Sequence, residues 1–263
     1  MPDADQLLAA YDAQLRTHVA RPLPVGIELE EDGPVQRWFW AAGRGFVLYR
    51  DLGGIDGAGL DELIARQVRA FADRSQSFEW KLHGHDVPKD LPSRLHTAGF
   101  VPEDQETVVI ADVAEIANTP KLPDGVTLRE VTTREDFERI DAMEAAAWGE
   151  KTEGWLPTML ETEREADPDA LTVLVAEAGG DVVCAGWVRF AKGTDFATLW
   201  GGATLPEWRG RGIYRATVAH RAILALERGY RFLEVDAADD SRPILERLGF
   251  TPVTTTTPYV WSP

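Results

Sequence analysis

The stretch Thr198-Leu199-Trp200-Gly201-Gly202-Ala203-Thr204-Leu205-Pro206-Glu207-Trp208-Arg209-Gly210-Arg211-Gly212-Ile213 decides the fold, because an apolar strand runs into a basic glycine turn and then directly into a helical pattern. Gly210 and Gly212 let the backbone turn tightly. The first N–H groups of the following helix lack intrahelical acceptors, and with Arg209 and Arg211 beside them they suit an anion such as a pyrophosphate. Ile213, Ala216, Ile223 and Leu224 fall on one stripe of that helix, with His220 on its edge, so this stripe is expected to pack on a sheet.

Working outward, Phe232-Leu233-Glu234-Val235-Asp236 alternates as a short strand, and the segment 240–250 reads as a capped helix closed by Gly249. Upstream, 126–131 is a strand, Thr133 caps a helix running to about Ala147, and 151–167 is a second, strongly acidic helix. Residues 171–177, 181–190 and 195–205 then read as three antiparallel strands, with glycines at 179–180 and 193 supplying the turns.

This β-α-α-β-β-β-α-β-α order with a final strand, the turn Arg209-Gly210-Arg211-Gly212-Ile213-Tyr214 and the helix end Leu248-Gly249-Phe250 resemble the GCN5-related N-acetyltransferase (GNAT) superfamily. The resemblance implies an α+β fold, a mixed, mainly antiparallel twisted sheet flanked by helices. It also implies acetyl-CoA as cosubstrate. On the matching positions, backbone groups of Ala203, Thr204 and Leu205 would hold the pantetheine arm, and Arg209, Gly210, Arg211, Gly212, Ile213 and Tyr214 the pyrophosphate. A backbone N–H near Ala203 would hold the oxyanion. The family turn is Gln/Arg-x-x-Gly-x-Gly/Ala, so Tyr214 departs from it at the last position. Many relatives place a tyrosine, as acid for the leaving thiolate, where this chain has Leu245.

Proton removal from the acceptor needs a base. Asp236 on the strand after the turn ranks first and Glu150 second; Asp195 stands at the start of the strand before the turn, and the resemblance implies that the segment of Glu150 and Glu153 lines the substrate cleft. Trp148 and Trp155 flank the acids at 150 and 153, and aromatic rings among carboxylates suit an amine. The alternative reading of both rings is plain packing.

The segment 116–125, with two prolines and a glycine, reads as a linker. The expected division is a partial, non-catalytic GNAT-like domain at 1–118, a linker at 119–125 and an acetyl-CoA-binding GNAT-like domain at 126–263. In the first half 35–41 and 45–52 are strand-like, 59–73 helical, 77–82 a strand and 91–98 a helix. Leu95-His96-Thr97-Ala98-Gly99-Phe100-Val101-Pro102 lies parallel to Leu245-Glu246-Arg247-Leu248-Gly249-Phe250-Thr251-Pro252. A tandem follows, its first copy expected to lack the early strands and the two-helix segment. The corresponding turn, residues 52–59, has glycines but two aspartates and no arginine, which repels a pyrophosphate.

The formal charge is −17, with 20 acidic and 11 basic residues in 1–118 and 24 and 16 in the remainder, so both halves repel nucleic acid and favour a cationic or neutral amine. Apolar runs such as Val182–Val188 fall far short of the roughly 20 residues of a membrane span. The start Met-Pro-Asp-Ala-Asp is not a secretory signal, so a cytoplasmic protein is expected. The single cysteine, Cys184, sits in an apolar strand and reads as a buried thiol. His83-Gly84-His85-Asp86 lacks further ligands at metal-site spacing, and no metal is expected. A Walker lysine and a Gly-x-Gly-x-x-Gly turn are both missing, which argues against an ATP or NAD site. The sequence thus reads as an N-acyltransferase moving acetyl to a small primary amine, with a non-catalytic acyl-CoA or small-amine binding protein as the alternative, and leaves a homo-oligomer open.

Overall fold

The computed structural model describes residues 2–41, 43–149 and 154–263. The N-terminal half runs α1 (Ala4–Gln14), β1 (Ile27–Asp32), β2 (Val35–Trp40), β3 (Gly45–Tyr49), α2 (Gly57–Ala72), β4 (Phe78–His83), α3 (Leu91–Thr97), β5 (Val101–Pro102), β6 (Glu106–Asp112) and α4 (Val113–Ile116). The C-terminal half runs β7 (Val126–Val131), α5 (Arg134–Trp148), α6 (Trp155–Ala166), β8 (Leu171–Ala178), β9 (Asp181–Phe190), β10 (Phe196–Thr204), α7 (Ile213–Glu227), β11 (Phe232–Ala237), α8 (Arg242–Leu248) and β12 (Thr251–Trp261). This is the expected α+β class, a mainly antiparallel sheet flanked by helices.

The strands form one sheet in the order β1-β2-β3-β4-β12-β6-β11-β10-β9-β8-β7, with β5 attached to β12. Two of its pairs are parallel, β3 with β4 and β10 with β11. Each half therefore repeats three antiparallel strands, a helix and a strand parallel to the third. At the centre the halves trade their last strands. β6 lies against β11 of the C-terminal half, β12 lies against β4 of the N-terminal half, and the two meet antiparallel.

Alternation along β11 divides the two faces. Leu233, Val235 and Ala237 pack with Val218, Ala222 and Ala225 of α7 and Leu245 of α8 on the rear face. Phe232 turns the other way and packs with Leu7 and Tyr11 of α1. The rear face of β4, through Phe78, Trp80 and Leu82, meets Leu60, Leu63 and Ile64 of α2 and Leu91 and Leu95 of α3. α5 and α6 cover the front of β8 and β9 through Phe137, Ile140, Met143, Leu156 and Leu160. Among the described residues no helix is long and apolar enough to cross a membrane.

Two expectations are corrected. Among the described residues the first half has no counterpart of β7, α5 and α6, but it has one early strand more than expected: β1, which pairs with β2 in unbroken register from Ile27 with Trp40 to Asp32 with Val35. Its sequence Ile-Glu-Leu-Glu-Glu-Asp hides it, because an edge strand carries charge on its open side. On α7 the buried positions are Ile213, Ala216, Thr217, Val218, Arg221, Ala222 and Ala225, whereas Ile223 and Leu224 are only half-buried. An apolar-only reading rotates the stripe because its centre holds an arginine.

Candidate active site

β10 and β11 are in parallel register only from Phe196 with Phe232 to Thr198 with Glu234; beyond that they part. On its other side β10 slips against β9 between Gly201 and Thr204. Gly202 has φ +102°, and a Cβ there would lie 2.6 Å from the Tyr214 ring, so glycine is required by both backbone and space. Behind this break stands Arg221, wholly buried, donating from Nη1 to the Trp187 carbonyl at 3.1 Å and the Trp200 carbonyl at 3.0 Å, and from Nε to the Thr217 carbonyl at 3.1 Å. The guanidinium thus adds donors at the Trp187–Trp200 pair, just before the β10 ladder is interrupted. Burial without a carboxylate partner lowers its pKa.

The opening continues into a cleft of about 770 Å³ at the start of α7. Gly212, at φ +83°, caps α7 without a side-chain hydrogen bond, and the first intrahelical bond at this end runs from Ala216 N–H to the Gly212 carbonyl. The N–H groups before it are free for a ligand. Open space surrounds the Cα of Gly210. Of the residues expected to hold the coenzyme, Ala203, Thr204, Arg209, Gly210, Gly212, Ile213 and Tyr214 line the cleft, and Leu205 and Arg211 do not. Leu205 packs into the core, and Arg211 lies over the Trp208 ring at 4.6 Å. Arg209 is engaged by backbone, donating to the Thr204 carbonyl at 3.0 Å and the Ala147 carbonyl at 3.2 Å, which joins the ends of β10 and α5. Sequence reasoning missed Arg215, Ser241 and Arg247, which bring two further guanidinium groups and a hydroxyl to the wall. Arg215 could have been found from its place in the first turn of α7. Parted strands, an uncapped helix start, an open glycine and arginines suit a nucleotide diphosphate with a long neutral arm.

Tyr214 points its ring under Gly202 and against the rear core, so the departure from the family turn leaves the helix N–H groups clear. Leu245, at the position where relatives carry a tyrosine, is wholly buried in that core. Burial pushes the Cys184 thiol up, and Thr204 Oγ1 lies 3.2 Å from its sulfur.

Asp236 projects from the front of β11 and is ion-paired through Oδ2 with Lys81 of β4. Around this pair, burial and then the charge of Asp236 raise the pKa of fully buried Glu234 and push Glu106 up to about 7. Asp195, at the start of β10, accepts from Gln14 of α1 at 3.0 Å. Glu150 and Glu153 lie outside the described residues. Trp148 is 60% exposed and lines the cleft, and Trp155 meets Trp40 of the other half edge-on at 6.1 Å between centroids.

The histidine cluster serves the fold. His83 Nε2 lies 3.0 Å from the Tyr11 hydroxyl, Asp86 accepts from Tyr49 at 2.5 Å and pairs with Arg16 at 2.8 Å, and His85 lies 3.1 Å from Asp12. Together these groups fasten α1 to the turn after β4. At the first-half turn Asp56 caps α2 without a side-chain bond, and Arg94 spends its guanidinium on the Gly57 carbonyl, Asp61 and Asp90.

A mainly antiparallel sheet, a parallel pair that parts, and a basic glycine turn at the mouth of the gap define an α+β protein with an open cleft at the start of α7. Residues 140–250 match the model of the "Acetyltransferase (GNAT) family". No curated protein matches the sequence. Among solved structures the chain is similar to a "GCN5-related N-acetyltransferase from Kribbella flavida", with 18% identity, a TM-score of 0.65 and coverage of 99% of this chain and 94% of that one. It is also similar to a GCN5-related N-acetyltransferase from Sphaerobacter thermophilus, at 15% identity, a TM-score of 0.63 and coverage of 99% and 85%. A "Tandem GNAT protein from the clavulanic acid biosynthesis pathway (without AcCoA)" matches at 16% identity and a TM-score of 0.63, over 98% of this chain and 94% of that one. At these identities the likenesses establish the fold.

Proposed function

We propose that this protein is an N-acyltransferase that moves an acetyl group from acetyl-CoA to a small primary amine by direct attack. The observation that carries the reading is the parting of β10 from β11 directly above the uncapped start of α7, with Arg215 and Arg247 on the wall. Gly210, Gly212, Ile213 and Tyr214 would meet the pyrophosphate with backbone N–H groups, and Arg215 and Arg247 with charge. Ala203 and Thr204 would pair with the pantetheine arm and present an N–H to the thioester oxygen. The bound coenzyme supplies the activated acyl group. Thr204 and Cys184 have no nucleophilic part, since both are buried against each other.

The acidic surface and the aromatic rings near the cleft support a cationic or neutral amine as acceptor. Residues 126–263 would carry the coenzyme, and 1–118, joined through 119–125, would be a non-catalytic GNAT-like partner, since acids and a committed Arg94 occupy its corresponding turn. A cytoplasmic setting agrees with a lone free thiol.

Calorimetry with acetyl-CoA and free-thiol release across an amine panel test the reading, with spermidine, lysine, kanamycin and a peptide N-terminus as probes. One site per chain and thiol release with at least one amine are expected. Tight binding without release would instead favour the non-catalytic binding protein, a second reading supported by the buried Leu245 where relatives carry an acid. Two equivalent sites would overturn the assignment of the first half.

A further inference from the structure

Glu144 lies on α5 one turn before Trp148, and side chains four apart share a helix face. Trp148 lines the coenzyme cleft, while Met143 and Ala147, beside Glu144 on the helix, pack in the same cluster as Ala203. Arg209 ties this end of α5 to the end of β10 through the carbonyls of Ala147 and Thr204. Glu144 therefore stands on the front side of the break in β10, where a thioester carbonyl held at Ala203 would face an acceptor. Its carboxyl is half-buried and, among the described residues, has no hydrogen bond or ion pair. The indole N–H of Trp187, packed in the same cluster from β9, is also buried without a partner among the described residues. A carboxyl and an N–H left open beside one strand end suit an amine and the polar group next to it.

We infer that Glu144 takes the proton from the acceptor amine and that the acceptor site lies between α5, the front of β9 and the end of β10; the inference rests on the acyl-transfer reading above. Glu144 accepts one proton from the ammonium group. The freed lone pair forms the C–N bond at the thioester carbon, the C–S electron pair leaves on sulfur, and a second amine proton goes to the thiolate. Asp236 is less suited to the task, because Lys81 already neutralises it.

The titration of Glu144 agrees with this role. Burial first, and then the charge of Asp141 on its own helix, push its pKa up to about 7. On β9 its charge reaches Cys184, which packs toward α7 and stays a thiol. α6 turns Glu161 to Arg134 and Glu163 to Arg189, and β10 offers Ala203 and Thr204.

The test compares the intact wild-type protein with Glu144→Gln and Glu144→Asp, using the best amine of the panel and hydroxylamine, which is unprotonated at neutral pH. For the amine, Glu144→Gln should lower kcat/KM at pH 7 by about 100-fold. The rise of kcat/KM through pH 7 should vanish, Glu144→Asp should recover part of the rate, and acetyl-CoA affinity should not change. Hydroxylamine should lose less than about tenfold, because it needs no proton removed before attack. Equal losses for both acceptors, or an unchanged amine rate in Glu144→Gln, overturn the role of Glu144 while leaving acyl transfer standing. A wild-type protein that binds acetyl-CoA but releases no thiol with any acceptor overturns both.

Discussion

Lys81 of β4 and Asp236 of β11 are ion-paired across two intervening strands, β12 and β6, so a half-buried cation of one half is neutralised by a half-buried carboxylate of the other. Such a pair is costly to break from one side, because the surviving charge keeps little water and loses its partner. Asp236→Asn is expected to destabilise the protein by about 3 kcal/mol. Lys81→Met together with Asp236→Asn should recover much of that loss in chemical denaturation. If the single variant instead keeps full stability and loses turnover a hundredfold, Asp236 works as the base and the pair is incidental.

The cleft wall makes a sharper forecast for arginines than the glycine turn does. Arg215→Ala with Arg247→Ala should weaken acetyl-CoA binding at least tenfold, about 1.4 kcal/mol, whereas Arg211→Ala should change it little, since that side chain rests on Trp208. Calorimetry on the two variants decides between the wall and the turn.

Glu106 gives stability a pH dependence whose sign is fixed by its raised pKa. Between the ordinary glutamate value of 4.5 and about 7 the folded protein holds a proton that the unfolded chain has released, so this group's contribution falls as pH rises through that window. Glu106→Gln should remove that slope. Relative to wild type, the variant should gain about 1–2 kcal/mol on going from pH 5 to pH 8, a figure reduced for partial exposure. Thermal unfolding at the two pH values measures it, and an equal shift in both proteins would place the proton elsewhere.

Arg221 holds two carbonyls at the break in β10. Arg221→Met relieves the burial of a charge but removes the guanidinium hydrogen bonds to the Trp187 and Trp200 carbonyls, at a net cost of about 1–2 kcal/mol. The break should also tighten or slip, and acetyl-CoA affinity should fall severalfold. Lost stability with unchanged affinity would show that Gly201 and Gly202 alone keep the strands apart.

The path from β10 through the turn into α7 was legible because glycines, an apolar strand and a helical period coincide within one short segment. The strands and helices of residues 126–263 were legible for the same reason. β1 was not, being charged along an open edge, and neither was the exchange of β6 and β12, because strand partners distant in sequence leave no local period. At the site, Arg221 disappeared inside an apolar stripe it interrupts. Glu144 carries no signal in the sequence; only the packing of Met143 and Ala147 against the strand end distinguishes it. Leu205 and Arg211, expected at the coenzyme, point away because Leu205 is core and Arg211 has an aromatic ring to rest on.

The traded strands also set an order of events during synthesis. The N-terminal half emerges first, yet the strand that must lie beside β4 is β12, encoded far downstream, and β6 waits for β11 before its apolar run Val108–Ala111 has a sheet to enter. Until then both β4 and β6 present open hydrogen-bonding edges, the kind of surface that nascent chains hide in chaperones or lose to aggregation. Completion of one half is the signal that the other has been made, so a chain cut in the 119–125 segment should yield two pieces that fold only in each other's company.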